Sequence, residues 1–220
     1  MSESLPRPSP FPPGVFLANG FNTDPPLPAD DPTTGNRLNH LCIRVRDPLK
    51  SLNFYIKLMG MRTVFVINAG PMTVYFLGYP LTERHRQNLR AFGEETLPQT
   101  TAGLLELFHI HGSEAQPEEY YQNGNNPPHL GFCHLGFCVR DVKATVERLK
   151  ANGVEVLRYP QGVPITEWEN ERGVGVQVKG TDSEFHSNYI ERVQKIAFAK
   201  DPVSLRLHQR NVPLLSGHTC

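Results

Sequence analysis

His40 and His134 open two segments that nearly repeat each other. His40-Leu-Cys-Ile-Arg-Val-Arg-Asp47 and His134-Leu-Gly-Phe-Cys-Val-Arg-Asp141 agree at His, Leu, Val, Arg and Asp. Each is followed later by a short apolar run holding a glutamate, Glu106 within 104–108 and Glu191 within 189–193. A lone strand histidine is more often structural than functional, but equivalence across an internal repeat changes that weighing. His40, His134, Glu106 and Glu191 together offer two nitrogen and two carboxylate donors, most of the coordination sphere of one divalent metal. The mixture suits Zn²⁺, Ni²⁺, Co²⁺ or Fe²⁺ and does not choose among them. A metal so held polarises a carbonyl or hydroxyl oxygen, and a carboxylate beside it moves a proton. Glu106 stands among Leu104, Leu105, Leu107 and Phe108, where a carboxylate is costly to bury unless paired or bound to a cation.

The elements that position these residues recur in the order β-α-β-β-β. Residues 38–46 alternate, with Leu41, Ile43 and Val45 opposite His40, Cys42, Arg44 and Arg46. Asp47-Pro48 starts a helix, Asp as N-cap and Pro in the first turn, with Leu49, Leu52, Phe54, Tyr55, Leu58 and Met59 as its apolar stripe. Strands are expected at 61–68, 72–79 and 103–110, with a polar surface excursion at 80–101. In the second copy, Asp141 caps a helix carrying Val142, Val146 and Leu149 that ends at Asn152-Gly153. Strands are expected at 154–158, around 174–179 and at 188–193, with a polar loop at 162–173. The expected fold class is α+β: two βαβββ modules forming an open curved β-barrel with flanking helices. The expected divisions are a Pro-rich tail at 1–36, a first module at 37–112, a linker at 113–130, a second module at 131–196 and a tail at 197–220.

Composition narrows the function classes. Lys+Arg and Asp+Glu both number 22 in 220 residues, so no basic excess points to nucleic acid or an anionic membrane. No apolar run approaches the roughly 18 residues that span a bilayer. The N-terminal stretch lacks the basic and apolar regions of a secretory signal. The four cysteines form no CxxC pair, and Cys42 and Cys138 sit inside the repeated strands; a reducing, cytoplasmic location is expected.

The residues resemble a known family, glyoxalase I (lactoylglutathione lyase) of the vicinal oxygen chelate superfamily, from about His40 to Val193. The resemblance is carried by Leu41-Cys-Ile-Arg-Val-Arg-Asp-Pro48, Ser51-Leu-Asn-Phe-Tyr55, Leu58-Met-Gly-Met61, Leu104-Leu-Glu106-Leu, Tyr121-Gln-Asn-Gly-Asn125, Gly131-Phe-Cys-His134-Leu-Gly136 and Tyr189-Ile-Glu191. It implies a metal site of His40, Glu106, His134 and Glu191, with Zn or Ni ahead of Co or Fe. It implies a hemithioacetal of methylglyoxal and glutathione as substrate, turned into S-lactoylglutathione by proton transfer through an enediolate held at the metal. Glu191 matches the principal base and Glu106 an assisting one, while Arg44 matches the residue that grips the γ-glutamyl carboxylate. Arg172 could meet a second carboxylate. The resemblance also implies a homodimer with shared active sites.

The chain departs from the family where glutathione is held. Ile110 replaces a customary Asn and Leu130 a customary Arg. Polar anchors of that kind are worth about 1–3 kcal/mol when charge-assisted. A related enzyme with the same metal site and a less polar substrate is therefore the alternative. An extradiol-type Fe²⁺ dioxygenase using His40, His134 and Glu191 is disfavoured by Glu106 as a fourth ligand, and a metal-free binding module by the presence of all four donors.

Overall fold

A computed structural model of the chain describes residues 15, 24–126, 128–159, 187–202 and 206–211. Strand β1 (His40–Arg44) leads to Asp47, whose side chain accepts hydrogen bonds from the N–H groups of Leu49 and Lys50 and so starts α1 (Pro48–Leu52). The helix runs on as a π-helical stretch, Asn53–Leu58, and Gly60 then turns the chain at φ +83°. Next come β2 (Arg62–Asn68), β3 (Met72–Gly78), α2 (Glu83–Gln87), α3 (Leu89–Glu95) and β4 (Leu104–Ile110). Two short strands, β5 (Asn125–Asn126) and β6 (His129–Leu130), pair with each other within the expected linker.

The second module reuses the same devices. After β7 (His134–Val139), Asp141 accepts from the Ala144 N–H to cap α4 (Val142–Ala151), and Gly153 turns the chain at φ +76°. Then come β8 (Val156–Arg158), α5 (Ser187–Val193), β9 (Ala197–Lys200) and β10 (Arg206–Asn211). The described strands make two four-stranded sheets of one topology, β1-β4-β3-β2 and β7-β10-β9-β8. The first strand of each lies parallel to the last, and the remaining neighbours are antiparallel. The fold is mixed α+β with flanking helices, its curved sheets not closed into a barrel.

One hydrophobic core serves both modules. Ile43, Val45, Leu105 and Leu107 bury the inner face of the first sheet against Phe54, Tyr55 and Met59 of the helical segment. Leu135, Leu149 and Ala199 of the second module join the same cluster. Fully burying each such side chain contributes about 1.5–3 kcal/mol. Polar contacts cross the same seam: the Tyr55 hydroxyl donates to Asp201 Oδ2 at 2.6 Å, both residues buried, and Arg148 Nη2 donates to the Leu58 carbonyl at 3.0 Å.

Three expectations are corrected. The 80–101 excursion is an α2–α3 hairpin that docks through Phe92, buried against Val64, Phe76 and Leu104. Its sequence is polar because this one aromatic anchor does the packing, while Arg84 and His85 pair with Glu95 on the outside. The strand expected at 188–193 is the helix α5. Tyr189 and Val193 are four apart with Ile190 between them, a helical spacing, and a run this short does not separate helix from strand by pattern alone. The tail expected at 197–220 instead holds β9 and β10. β10 carries one apolar residue in Arg206-Leu-His-Gln-Arg-Asn211, so its pairing with β7 and β9 leaves no alternating signature. The strand expected at 174–179 lies outside the described residues. Among the described residues, no helix is long and apolar enough to cross a membrane.

The Tyr55–Asp201 contact predicts a measurable cost. Tyr55→Phe should lose about 1–3 kcal/mol of stability in urea denaturation at neutral pH, because a buried carboxylate loses a donor. Burial first, then the Asp201 charge, raises the Tyr55 hydroxyl well above its ordinary value of 10.0. A raised folded-state value means that the contribution is complete below about pH 10 and is lost as the pH climbs further. The gap between wild type and Tyr55→Phe should therefore narrow in that alkaline window.

Candidate metal centre

Parallel pairing of β1 with β4 sets Cys42 opposite Glu106 and Arg44 opposite Phe108. Strand alternation puts His40, Cys42, Arg44, Glu106 and Phe108 on the face opposite the shared core. There the His40 Nε2 lies 3.1 Å from Glu106 Oε2, with the His40 side chain 36% and the Glu106 side chain 14% exposed. The Phe76 ring meets His40 edge-on at 5.1 Å and stacks on Phe65 at 4.4 Å, giving the pair an aromatic floor. The docked hairpin closes one end of this face through Phe92.

The donor pair fits one half of a metal site. Two ligand atoms each about 2.1 Å from one ion stand about 3.0 Å apart at a right-angled bite and about 3.4 Å apart at a tetrahedral one. The observed 3.1 Å lies between these values. Among the described residues no three His, Cys, Asp or Glu side chains gather as a metal cluster, so the structure joins His40 to Glu106 and not to the remaining candidates. His134 opens β7 and meets Phe198 of β9 edge-on at 5.8 Å, matching His40 against Phe76 of β3. Glu191 is exposed on α5 rather than placed in a strand beside His134.

Register identifies what stands in that strand instead. Glu106 faces Cys42 on one side and Phe76 on the other; in the second sheet, His208 faces Gly136 and Phe198. His208 is thus the register equivalent of Glu106. The polar composition of β10 hid this, and no repeated spacing marks it, since Glu106 follows Phe76 by 30 residues and His208 follows Phe198 by 10. Arg44 is exposed on the His40 face, and Arg172 lies outside the described residues. Ile110 is 41% and Leu130 50% exposed, so both are accessible and neither offers a side-chain hydrogen bond.

Cys42 is an addition from the structure. Partial burial of its sulfur, then the Glu106 charge and a hydrogen bond to Glu106, push the thiol up to about 11, although the residue as a whole is exposed.

The model of the Glyoxalase/Bleomycin resistance protein/Dioxygenase superfamily matches residues 37–168, and the chain belongs to that superfamily. It is 35% identical over 129 residues to "Glyoxalase I" of Saccharomyces cerevisiae, covering 58% of this chain and 38% of that protein. It is 36% identical over 141 residues to "Lactoylglutathione lyase" of Pseudomonas putida, covering 60% of this chain and 78% of that protein. The chain therefore spans well under half of the yeast relative's length. Among solved structures, Leishmania major glyoxalase I aligns over 80% of this chain and 86% of that one, with 21% identity and a TM-score of 0.46.

The Cys42–Glu106 contact is testable by alkylation. At pH 8 a thiol near 11 is only about one-thousandth thiolate. In metal-free protein, Cys42 should react with iodoacetamide far more slowly than Cys133, and Glu106→Gln should speed it by removing two of the causes of the shift. Peptide-mapped alkylation rates that are equal at the two cysteines would contradict this.

Proposed function

We propose that the chain is a metal-dependent lyase of the glyoxalase I type, acting on the hemithioacetal of methylglyoxal and glutathione to give S-lactoylglutathione. The observation that carries this reading is the His40–Glu106 pair at 3.1 Å over an aromatic floor, in a chain 35% and 36% identical to proteins named glyoxalase I and lactoylglutathione lyase. His40 and Glu106 hold one side of a divalent ion, with Zn²⁺ or Ni²⁺ preferred, and His134 supplies a donor from the second sheet. When bound, the metal supplies Lewis acidity to the substrate oxygens. Because the two sheets carry their donors apart, we assign completion of the site to a second copy of the chain, in a homodimer.

Glu106 moves the proton. Its carboxylate takes the proton from the hydroxyl-bearing carbon and delivers it to the adjacent carbonyl carbon. This reassigns the base from Glu191, because α5 leaves Glu191 exposed on a helix. The floor of Phe76 and Phe65 limits water at the reacting carbon. Arg44 meets a substrate carboxylate from the same face.

One observation favours a second reading. The exposed Ile110 and Leu130 stand where the family places polar glutathione anchors, so a less polar α-hydroxycarbonyl substrate would suit the same metal site.

The first test is formation of S-lactoylglutathione by protein reconstituted with Zn²⁺ or Ni²⁺. Glu106→Gln should lower kcat by about 10²–10⁴-fold, the range for a general base, while Glu191→Gln should leave it nearly unchanged. Equal losses in both variants would overturn the assignment of the base. No thioester from wild type that still binds metal would move the reading to the less polar substrate. If glutathione is the substrate, introducing Ile110→Asn with Leu130→Arg should lower KM about tenfold or more, the equivalent of one or two restored hydrogen bonds.

A further inference from the structure

The residue before His40 makes three hydrogen bonds that together decide which nitrogen of the histidine can hold a metal. Asn39 Nδ2 donates to the Pro98 carbonyl and, at 2.6 Å, to the Thr101 carbonyl. A carbonyl oxygen only accepts, so both contacts require the NH₂ side of the amide. Asn39 Oδ1 is thereby the atom 2.6 Å from His40 Nδ1, and it too can only accept. The His40 Nδ1 must carry the proton. In the neutral ring, Nε2 is then the bare lone pair, and it is the nitrogen that lies 3.1 Å from Glu106 Oε2. A lone pair and a carboxylate oxygen at that distance are reconciled by a cation bound to both, a second proton on Nε2 or a metal ion in its place.

We infer that Asn39 is the positioning residue of this site: it locks His40 in the Nδ1–H tautomer and aims Nε2 at the metal position beside Glu106. The carbonyls it reads belong to the segment that follows α3. Arg37 Nη1 takes the neighbouring Thr100 carbonyl at 2.8 Å, and the Asn39 carbonyl accepts from Leu104 N–H at 3.3 Å, where β4 begins. Docking of the α2–α3 hairpin is therefore coupled to the ligand's protonation pattern by a single amide side chain. Outer hydrogen bonds of this kind commonly change metal affinity about 10–100-fold. The role in metal binding rests on the proposed metal site, whereas the tautomer does not.

The test pairs two variants. Asn39→Ala removes the acceptor and both donor contacts. Asn39→Asp keeps an acceptor for His40 Nδ1 but cannot donate to Pro98 and Thr101. The tautomer is read in metal-free protein at pH 8.5 from long-range ¹H–¹⁵N couplings of the His40 ring. Metal affinity is read by Co²⁺ titration followed by absorbance. Wild type and Asn39→Asp should both show Nδ1–H, and Asn39→Ala should shift toward Nε2–H. Asn39→Ala should bind Co²⁺ about 10–100-fold more weakly than wild type, with Asn39→Asp within a few-fold of it even where its melting temperature falls as far. A purely structural role would weaken Co²⁺ binding equally in both variants, and that result overturns the inference. So does a wild-type ring protonated at Nε2. Neither readout uses turnover, so a wild type without lyase activity leaves the inference standing or falling on its own terms.

Discussion

Because β1 lies parallel to β4, the chain must leave the first strand, build a helix and two further strands, and return alongside it before the pair can form. That return sets which residues become neighbours. A shift of one residue in the register would turn Glu106 into the core and bring Leu105 or Leu107 to the His40 face. Because Leu105 and Leu107 pack with Ile43 and Val45 on one side, such a slip takes both leucines out of the core at once. The hydrophobic face thus guards the spacing of the chemical face.

The two modules keep one topology while their residues diverge. Histidine meets phenylalanine edge-on in both, and an aspartate caps the helix after each first strand. Yet the position held by Glu106 in one sheet is held by His208 in the other. The backbone frame was retained and the side chains upon it were not, which fits a duplication whose halves took different duties. Their cohesion is through side chains, in the common core and in the Tyr55–Asp201 and Arg148–Leu58 contacts.

What could be read from the sequence follows the strength of local signals. β1, α1, β2, β3, β4, β7 and α4 announce themselves through alternation, helical stripes and capping aspartates, and Glu106 is conspicuous as a charge among leucines. β10 was not legible, since one apolar residue in six leaves no alternation in the sequence, and the strand shows itself only in its backbone ladders to β7 and β9. The hairpin was hidden because Phe92 alone supplies most of its anchor. Asn39 could not be recognised at all: its partners lie 59 and 62 residues away, and only the folded chain brings them to it.

The thiol of Cys42 has a consequence for durability. Thiolates add to the carbonyl carbon of α-oxoaldehydes, and a cysteine on the same face as the His40–Glu106 pair stands where the free aldehyde that forms the proposed hemithioacetal would reach it. Held near 11 by its surroundings, this sulfur is ionised in only about one molecule in ten thousand at pH 7. In the metal-free protein, burial of the sulfur first and the Glu106 carboxylate second keep this thiol from such modification.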